Sequence, residues 1–321
     1  VRGSTFAILR ALASGRTLSA GELLAKAGCE AADIASAIRE LEAEDIEVHA
    51  SDAGLRLAAP FDALDAEAIS DGLGSVAGRI RVELVDECDS TSDRAAARAR
   101  AGAASGTAVV CELQRAGRGR QGAQWYSGLG TSLTFSLLWR FESKAGLLTG
   151  LPLVVGVACA RALESLGARD VALKWPNDLL RGVAKLGGVL VEAQGDARGP
   201  MVAIVGIGIN VRIPDAARRA ISRPVADLGG VSYGSRNAAA ARLFAALDEA
   251  LAAFARTGFA AFREEWQRRH AFQGARVQLL VPSERPVVGI AAGIGEDGAL
   301  LLDTATGVKR FYAGEVSLRA A

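Results

Sequence analysis

The stretch LQRAGRGRQGAQWYSGLGTS, from Leu113 to Ser132, sets three arginines among closely spaced glycines and carries a Trp-Tyr pair. Glycines let backbone N–H groups approach an anion, and arginines supply planar, bidentate donors. The loop therefore suits a phosphate or a carboxylate. Its spacing is not that of a P-loop, and it opens no clear helix, so a Walker or Rossmann reading fails. Taken alone, a solvated basic loop is the simpler reading.

A second stretch shifts that balance. Lysine occurs at only Lys26, Lys144, Lys174, Lys185 and Lys309, and two of these lie within LKWPNDLLRGVAKLGGVLVE, from Leu173 to Glu192. Trp175-Pro176-Asn177-Asp178 reads as a rigid polar turn ending a strand. Lys185 precedes Gly187-Gly188 and a Val/Leu strand, where it could reach a buried ligand and neutralise a carboxylate and an α-phosphate together. In VGIGINV, Val205 to Val211, glycines inside a strand mark a close approach by a ligand or another chain segment. Asn210 then offers the donor and acceptor that a purine edge requires; a strand packed tightly on a helix is the alternative. In DECDSTSDRAA, Asp86 to Ala96, Ser90 or Thr91 can cap the following helix, with Asp93 near its third position. Their hydroxyls can also bond a polar heterocycle.

These residues need elements to hold them. Residues 1–60 read as three helices and a hairpin, a winged helix-turn-helix. Phe6, Ile8, Leu9 and Leu12 recur at helical spacing, Ser19 with Glu22 forms a capping box, and Ile34, Ile38 and Leu41 share one face of a third helix. Such folds often bind DNA, but residues 1–59 carry six basic and nine acidic side chains. A recognition helix opening with Glu30 and Asp33 has the wrong sign for phosphates. Residues 61–79 read as a linker with a short helix at Asp65–Leu73. Residues 80–272 read as a mixed α/β domain with hairpin-like neighbours, in which Leu151–Gly167, Asn237–Arg256 and Phe259–His270 are helical. Residues 273–321 hold short strand runs, among them Val277–Val281 and Val287–Ala292, as in a small β-barrel. The fold class is α+β.

Composition sets the outer limits. The 321 residues are 50% hydrophobic and 23% charged, enough for two or three domains with a sizeable core, and the formal net charge of +1 gives no whole-chain field toward nucleic acid or membrane. Cys29, Cys88, Cys111 and Cys159 are scattered, and His49 and His270 are the only histidines. A thiolate/imidazole metal site and a disulfide framework are both disfavoured, which fits a reducing cytoplasm. The N-terminus lacks the order of a secretory signal. The apolar run Ala145–Ala160 is too short for a membrane span and contains Gly150, Pro152 and Gly156; it reads as a strand end followed by a buried helix.

Together the motifs resemble the biotin protein ligases across nearly the whole chain. The residues that carry the resemblance are Asp89-Ser90-Thr91, Gln114, Gly117-Arg118-Gly119-Arg120, Lys174-Trp175-Pro176-Asn177-Asp178, Lys185-Leu186-Gly187-Gly188, Gly206-Ile207-Gly208-Ile209-Asn210 and Gly314-Glu315-Val316-Ser317-Leu318-Arg319. GRGR, KWPND and KLGG in that order are highly specific together. The winged helix resembles that of the two-function members, which also repress transcription.

The resemblance implies a central mixed sheet related to class II synthetase catalytic domains and a C-terminal SH3-like barrel. It implies two half-reactions. Biotin and MgATP give biotinyl-5′-AMP and pyrophosphate; a lysine of a biotin carboxyl-carrier domain then attacks the anhydride and releases AMP. By resemblance, Ser90, Thr91, Ser92, Gln114, Gly119 and Gly188 contact biotin. Arg118, Arg120 and Lys185 serve biotin, ATP and catalysis. Trp125 and Lys174 contact ATP, Asn177 and Asn210 contact its adenine, and Asp178 orders the site or its Mg²⁺. No metal site is fixed by the protein alone, and members can dimerise through the central sheet. Three features depart from the family pattern: Ser92 stands where members often carry Asn, Gln121-Gly122-Ala123-Gln124 brings no charge to the loop, and the recognition helix is acidic. The enzyme therefore carries over and the repressor does not. Rival readings are a lipoate–protein ligase, which KWPND with GRGRQG disfavours, a non-catalytic biotin-sensing regulator, and a generic nucleic-acid binder, which the near-zero net charge disfavours.

Overall fold

In the computed structural model, residues 1–142, 150–195, 200–221, 223–280, 285–312 and 317–320 are described. The first part of the apolar run from Ala145, Val281 at the end of one expected strand, and the motif residues Gly314, Glu315 and Val316 lie outside them.

The N-terminal unit packs α1 (Gly3–Leu12), α2 (Ala20–Ala27) and α3 (Ala31–Ala43) beside a hairpin of β1 (Val48–Ser51) and β2 (Gly54–Leu57). The Ser19/Glu22 capping box is present, and Glu30 with Asp33 forms a second one. Leu18 bridges Leu55, so the wing gains a third short strand. Two acids of α3 face α1 rather than outward: Asp33 accepts from Ser4, and Glu40 accepts from Arg2 and Thr5. Burial opposes the Glu40 charge, but these hydrogen bonds outweigh it and hold the carboxyl at about 2.

The segment after the wing is fastened at every step. Phe61 donates its N–H to the Ala13 carbonyl, Leu64 donates to Glu112, and Asp65 donates to Asn237. Asp65 caps α4 (Ala66–Asp71). Arg236 is fully buried; it donates to the Asp62 backbone and pairs at 2.5 Å with Glu112, itself 2% exposed. The winged-helix core also takes in Leu113 and Leu129, with Phe61 packed against it.

The central sheet has seven strands in the order β3-β4-β5-β9-β8-β7-β6. Strand β3 (Arg81–Cys88) runs parallel to β4 (Thr107–Gln114), with α5 (Thr91–Arg100) as the crossover. The remaining pairs are antiparallel, through β5 (Ser132–Phe141), β6 (Val171–Lys174), β7 (Asp178–Arg181), β8 (Ala184–Gly195) and β9 (Met201–Asn210). Both faces are covered, which is why β4 is buried from end to end. Its even positions, Ala108 and Val110, join the larger core formed with α6 (Leu151–Ser165) and α8 (Arg236–Thr257), while Val109 faces the Ala95-Ala96 side of α5. Two elements depart from the sequence reading. Asp178–Arg181 is a strand paired with both neighbours, and β8 begins at Ala184, so Lys185 lies inside a strand rather than ahead of one. A short helix, α7 (Asp215–Ala220), follows β9.

After α9 (Ala260–Arg268) come five antiparallel strands in the order β13-β12-β11-β10-β14: β10 (Arg276–Leu280), β11 (Val287–Ile294), β12 (Leu300–Thr304), β13 (Gly307–Phe311) and β14 (Ser317–Ala320). Val277, Leu279, Leu300 and Leu318 join the core of the central sheet. This is the expected α+β arrangement. Among the described residues no helix is long and apolar enough to cross a membrane.

The buried Arg236–Glu112 pair yields a stability prediction. Arg236→Met leaves a carboxylate in the core without its cation and costs about 3–5 kcal/mol. Adding Glu112→Gln removes that charge, keeps an acceptor for Leu64, and recovers part of the loss. Urea denaturation of the three proteins checks this; equal loss in the single and double variants would show that the charge pairing contributes nothing.

Candidate active site

The sheet brings the loop, KWPND, KLGG and GIGIN to one end. Strand β3 stops at Cys88 and α5 starts at Thr91. Ser90 occupies the N-cap but makes no side-chain cap hydrogen bond. The capping expected of Ser90 or Thr91 is therefore absent, and the Thr91 hydroxyl is engaged elsewhere. Thr91 donates its N–H to Gln114 Oε1 at 2.8 Å, and its hydroxyl lies 2.8 Å from that of Ser136. Ser92 also reaches Ser136, at 3.0 Å. Ser136, fully buried on β5, is thus the hub of this wall. Its signal in the sequence was a polar residue inside LTFSLLW.

The glycine/arginine loop is folded. Gly119 N–H donates to the Ala123 carbonyl at 2.6 Å, and Trp125 N–H to the Gly117 carbonyl at 2.8 Å. The tip, Arg120–Gly122, turns through Gln121 at φ +56° and Gly122 at φ +70°, a conformation that suits glycine and strains glutamine. Arg118 donates to Asp93 at 2.7 Å and lies 3.4 Å from Glu192. Burial lowers the Arg120 pKa and the nearby Asp178 charge opposes that.

Trp125 lays its indole against the sheet, and the strand glycines make room for it. A Cβ on Gly208 would lie 2.4 Å from the indole, and one on Gly206 would lie 2.8 Å from Ser92 Oγ. The close approach read from VGIGINV is thus made by two side chains of the same protein. The indole N–H is buried without an acceptor among the described residues, a donor left open as ligand sites leave them.

In KWPND each residue has a separate task. The hairpin from β6 to β7 turns through a cis Trp175–Pro176 bond. Trp175 is buried and donates to the Gly298 carbonyl at 3.2 Å, tying the turn to the C-terminal sheet. Asn177 donates to the Val189 carbonyl at 2.7 Å and fixes the turn to β8. Asp178 accepts from the Lys185 ammonium on one oxygen, and Lys174 Nζ lies 3.8 Å from the other. Burial pushes both amines below the ordinary lysine range, Asp178 opposes the fall, and Arg223 adds to it. Asn210 donates to the carbonyls of Lys185 and Ala226 at 3.1 and 2.9 Å, so its amide nitrogen is committed to the backbone.

Two cavities meet here. The inner one, about 180 Å³, is lined by all nine residues expected at biotin: Ser90, Thr91, Ser92, Gln114, Arg118, Gly119, Arg120, Lys185 and Gly188. The outer one, about 840 Å³, is lined by Trp125, Lys174, Asp178, Lys185 and Asn210 of the residues expected at ATP. Asn177, Arg118 and Arg120 line the inner cavity alone. Trp125, Asp178 and Lys185 line both, so the lysine stands where the two spaces join. The sequence reading missed Arg223, on the wall of both, and Phe272 on the outer wall; Arg319, known there only as part of a motif, also lines the outer cavity.

A small chamber with hydroxyl and amide donors, opening past a half-buried cation into a larger cationic one, belongs to the class of ligases that join a small acid to a nucleotide. Residues 87–210 match the biotin/lipoate A/B protein ligase family, and residues 273–319 match the biotin protein ligase C terminal domain. The bifunctional ligase/repressor BirA of Salmonella typhimurium is 34% identical over 321 residues, covering 98% of this chain and 97% of the relative. The biotin–[acetyl-CoA-carboxylase] ligase of Mycobacterium tuberculosis is 31% identical over 79% of this chain and 95% of the relative. The biotin protein ligase of Aquifex aeolicus, solved in complex with biotin and ATP, superposes with a TM-score of 0.64 at 31% identity, over 75% of this chain and 99% of that one. The chain belongs to the biotin protein ligases, a family of ATP-dependent enzymes.

The lysine pair predicts a pH effect. The ammonium forms of Lys174 and Lys185 exist below their pKa values in the folded protein and are lost as pH rises through them. Asp178 holds those values up, so in Asp178→Asn any alkaline loss of affinity for an added polyanion such as ATP is expected at lower pH. Calorimetric titration of ATP across alkaline pH measures the limb; a limb that stays in place would remove Asp178 from this role.

Proposed function

We propose that this protein activates biotin with ATP to biotinyl-5′-AMP and transfers the biotinyl group to a lysine of a biotin carboxyl-carrier domain. The observation that carries the reading is the position of Lys185, half-buried at the junction of the two cavities and held there by Asp178. Biotin would occupy the inner chamber, with Ser90, Thr91, Ser92, Gln114, Gly119 and Gly188 around it. The nucleotide would occupy the outer one, between Trp125, Lys174 and Asn210.

In the first half-reaction a carboxylate oxygen of biotin attacks the α-phosphorus. The bond from phosphorus to the bridging oxygen breaks, and pyrophosphate leaves with the electron pair. Two anions must approach each other, so donors aimed at the charge that builds between them are the main requirement. Lys185 is placed for both anions, and Arg118 and Arg120 cover the inner side. Asn177 and Asn210 act through the backbone: one fixes the KWPND turn and the other the Lys185 peptide. In the second half-reaction the carrier amine attacks the anhydride carbonyl, AMP departs, and the amine loses a proton. The folded loop over the inner cavity keeps water from the anhydride in the interval.

Magnesium fits as an ion carried on the phosphates. Among the described residues no group of three His, Cys, Asp or Glu could hold a metal, and Asp178 is engaged by two lysines. The ion would supply charge neutralisation on the polyphosphate. The use of ATP fits work in the cytoplasm. The Salmonella relative is named ligase and repressor, but the acidic N-terminal unit here favours the ligase alone. A low-salt gel shift with a palindromic operator, with and without biotinyl-AMP, would contradict this if it showed a clear complex.

The direct test mixes the protein with MgATP, biotin and an apo carrier domain and follows the carrier by mass. We expect the mass of one biotinyl group; labelling by lipoate on its own acceptor, with none by biotin, would overturn the reading. Lys185→Ala is expected to slow adenylate formation by roughly 100-fold or more, as for loss of a donor to developing charge, while the protein stays folded. Adenylate formed at the parental rate would strip Lys185 of its role.

A further inference from the structure

The loop over the inner cavity contributes no charge from Gln121 to Gln124, yet Ala123 and Gln124 border both cavities. Across from them stands Arg223, which also borders both. We infer that Arg223 is the specificity residue for the polyphosphate: its guanidinium takes the β- and γ-phosphates of the nucleotide and the pyrophosphate they become. The inference rests on the ligase reading above.

Three observations point to it. First, the chain behind Arg223 is built into the site. Lys185 N–H donates to the Pro224 carbonyl at 3.0 Å, Ala226 N–H donates to the Lys185 carbonyl at 2.9 Å, and Asn210 bonds the carbonyls of both Lys185 and Ala226. Arg223 therefore leaves the backbone one residue from a pin on the peptide of Lys185 itself. Second, its charge is felt by Lys174 and Lys185 alike, and both are lowered by it. Lys174, Lys185 and Arg223 repel one another, and a bound polyanion relieves that repulsion. Third, no hydrogen bond or ion pair holds its guanidinium among the described residues. Among the described residues it has no carboxylate partner, whereas Arg218 on the same segment is held by Asp227 at 2.8 Å and by the Val225 carbonyl. An arginine fork on an exposed wall suits terminal phosphate oxygens.

The test separates the substrates. In steady-state assays of biotin-dependent pyrophosphate release, Arg223→Ala is expected to raise KM for ATP by roughly 10- to 100-fold, the size of one or two charge-assisted hydrogen bonds. Inhibition by inorganic pyrophosphate should weaken by a similar factor, KM for biotin should stay within about twofold, and Arg223→Lys should recover part of the loss. Unchanged KM for ATP and unchanged pyrophosphate inhibition would overturn the inference. So would an equal rise in KM for biotin and ATP, which marks a merely structural residue. If the parent protein releases no pyrophosphate, the ligase reading fails instead. Calorimetric binding of inorganic pyrophosphate to parent and variant then still decides the matter, since equal affinities would refute the role of Arg223.

Discussion

The site depends on one carboxylate. Asp178 lies between Lys185 and Lys174, both drawn below the ordinary lysine range by burial. The Asp178 charge opposes that fall and favours the ammonium form of both. The carboxylate must stay where it is, and the KWPND turn exists to hold it. Trp175 reaches to Gly298, Asn177 reaches to Val189, and Asp178 itself pairs in register with Gly188. One indole hydrogen bond thus ties the KWPND turn to the C-terminal sheet, and Arg319 on β14 reaches the outer wall as well.

The second constraint is steric. The cavity wall is made from Trp125 and Ser92 lying on strands that carry no side chain beneath them. Any Cβ at Gly208 or Gly206 would enter these residues, so the glycines of VGIGIN serve the protein's own wall and only through it the ligand. Ser136 completes the arrangement by joining the hydroxyls of Thr91 and Ser92.

The third is mechanical. The N-terminal unit is not hung on a loose tether. Phe61, Leu113 and Leu129 share its core, and Arg236 clasps the connecting segment against Glu112. Leu113 precedes Gln114 of the inner cavity and Leu129 closes the loop sequence, so the winged helix backs the ligand wall. Arg115, just after Gln114, pairs with Glu44 at 2.6 Å, and some of the acidity that counts against DNA is spent in this way.

Much of this was legible in the residues alone. Helices α1, α2 and α3, the hairpin and the long α8 followed from periodicity and caps, because those signals are local. GRGR, KWPND and KLGG told of the chemistry, because an anion needs fixed donors and those donor types are few. Other features were not legible. The strand Asp178–Arg181 is four residues long and earns its state from two neighbours. Ser90 sits at a helix start but its hydroxyl does not cap, and Gln114 and Ser136, far along the chain, engage Thr91 and Ser92 beside it. Arg223 lies in an arginine-rich segment that looks like any solvated loop until Pro224 and Ala226 are seen bonded to Lys185. The sequence by itself determined which groups are available and what charge they bring; the tertiary structure decided which of them face one another, because burial, pairing and hydrogen-bond commitment depend on neighbours that chain order does not reveal.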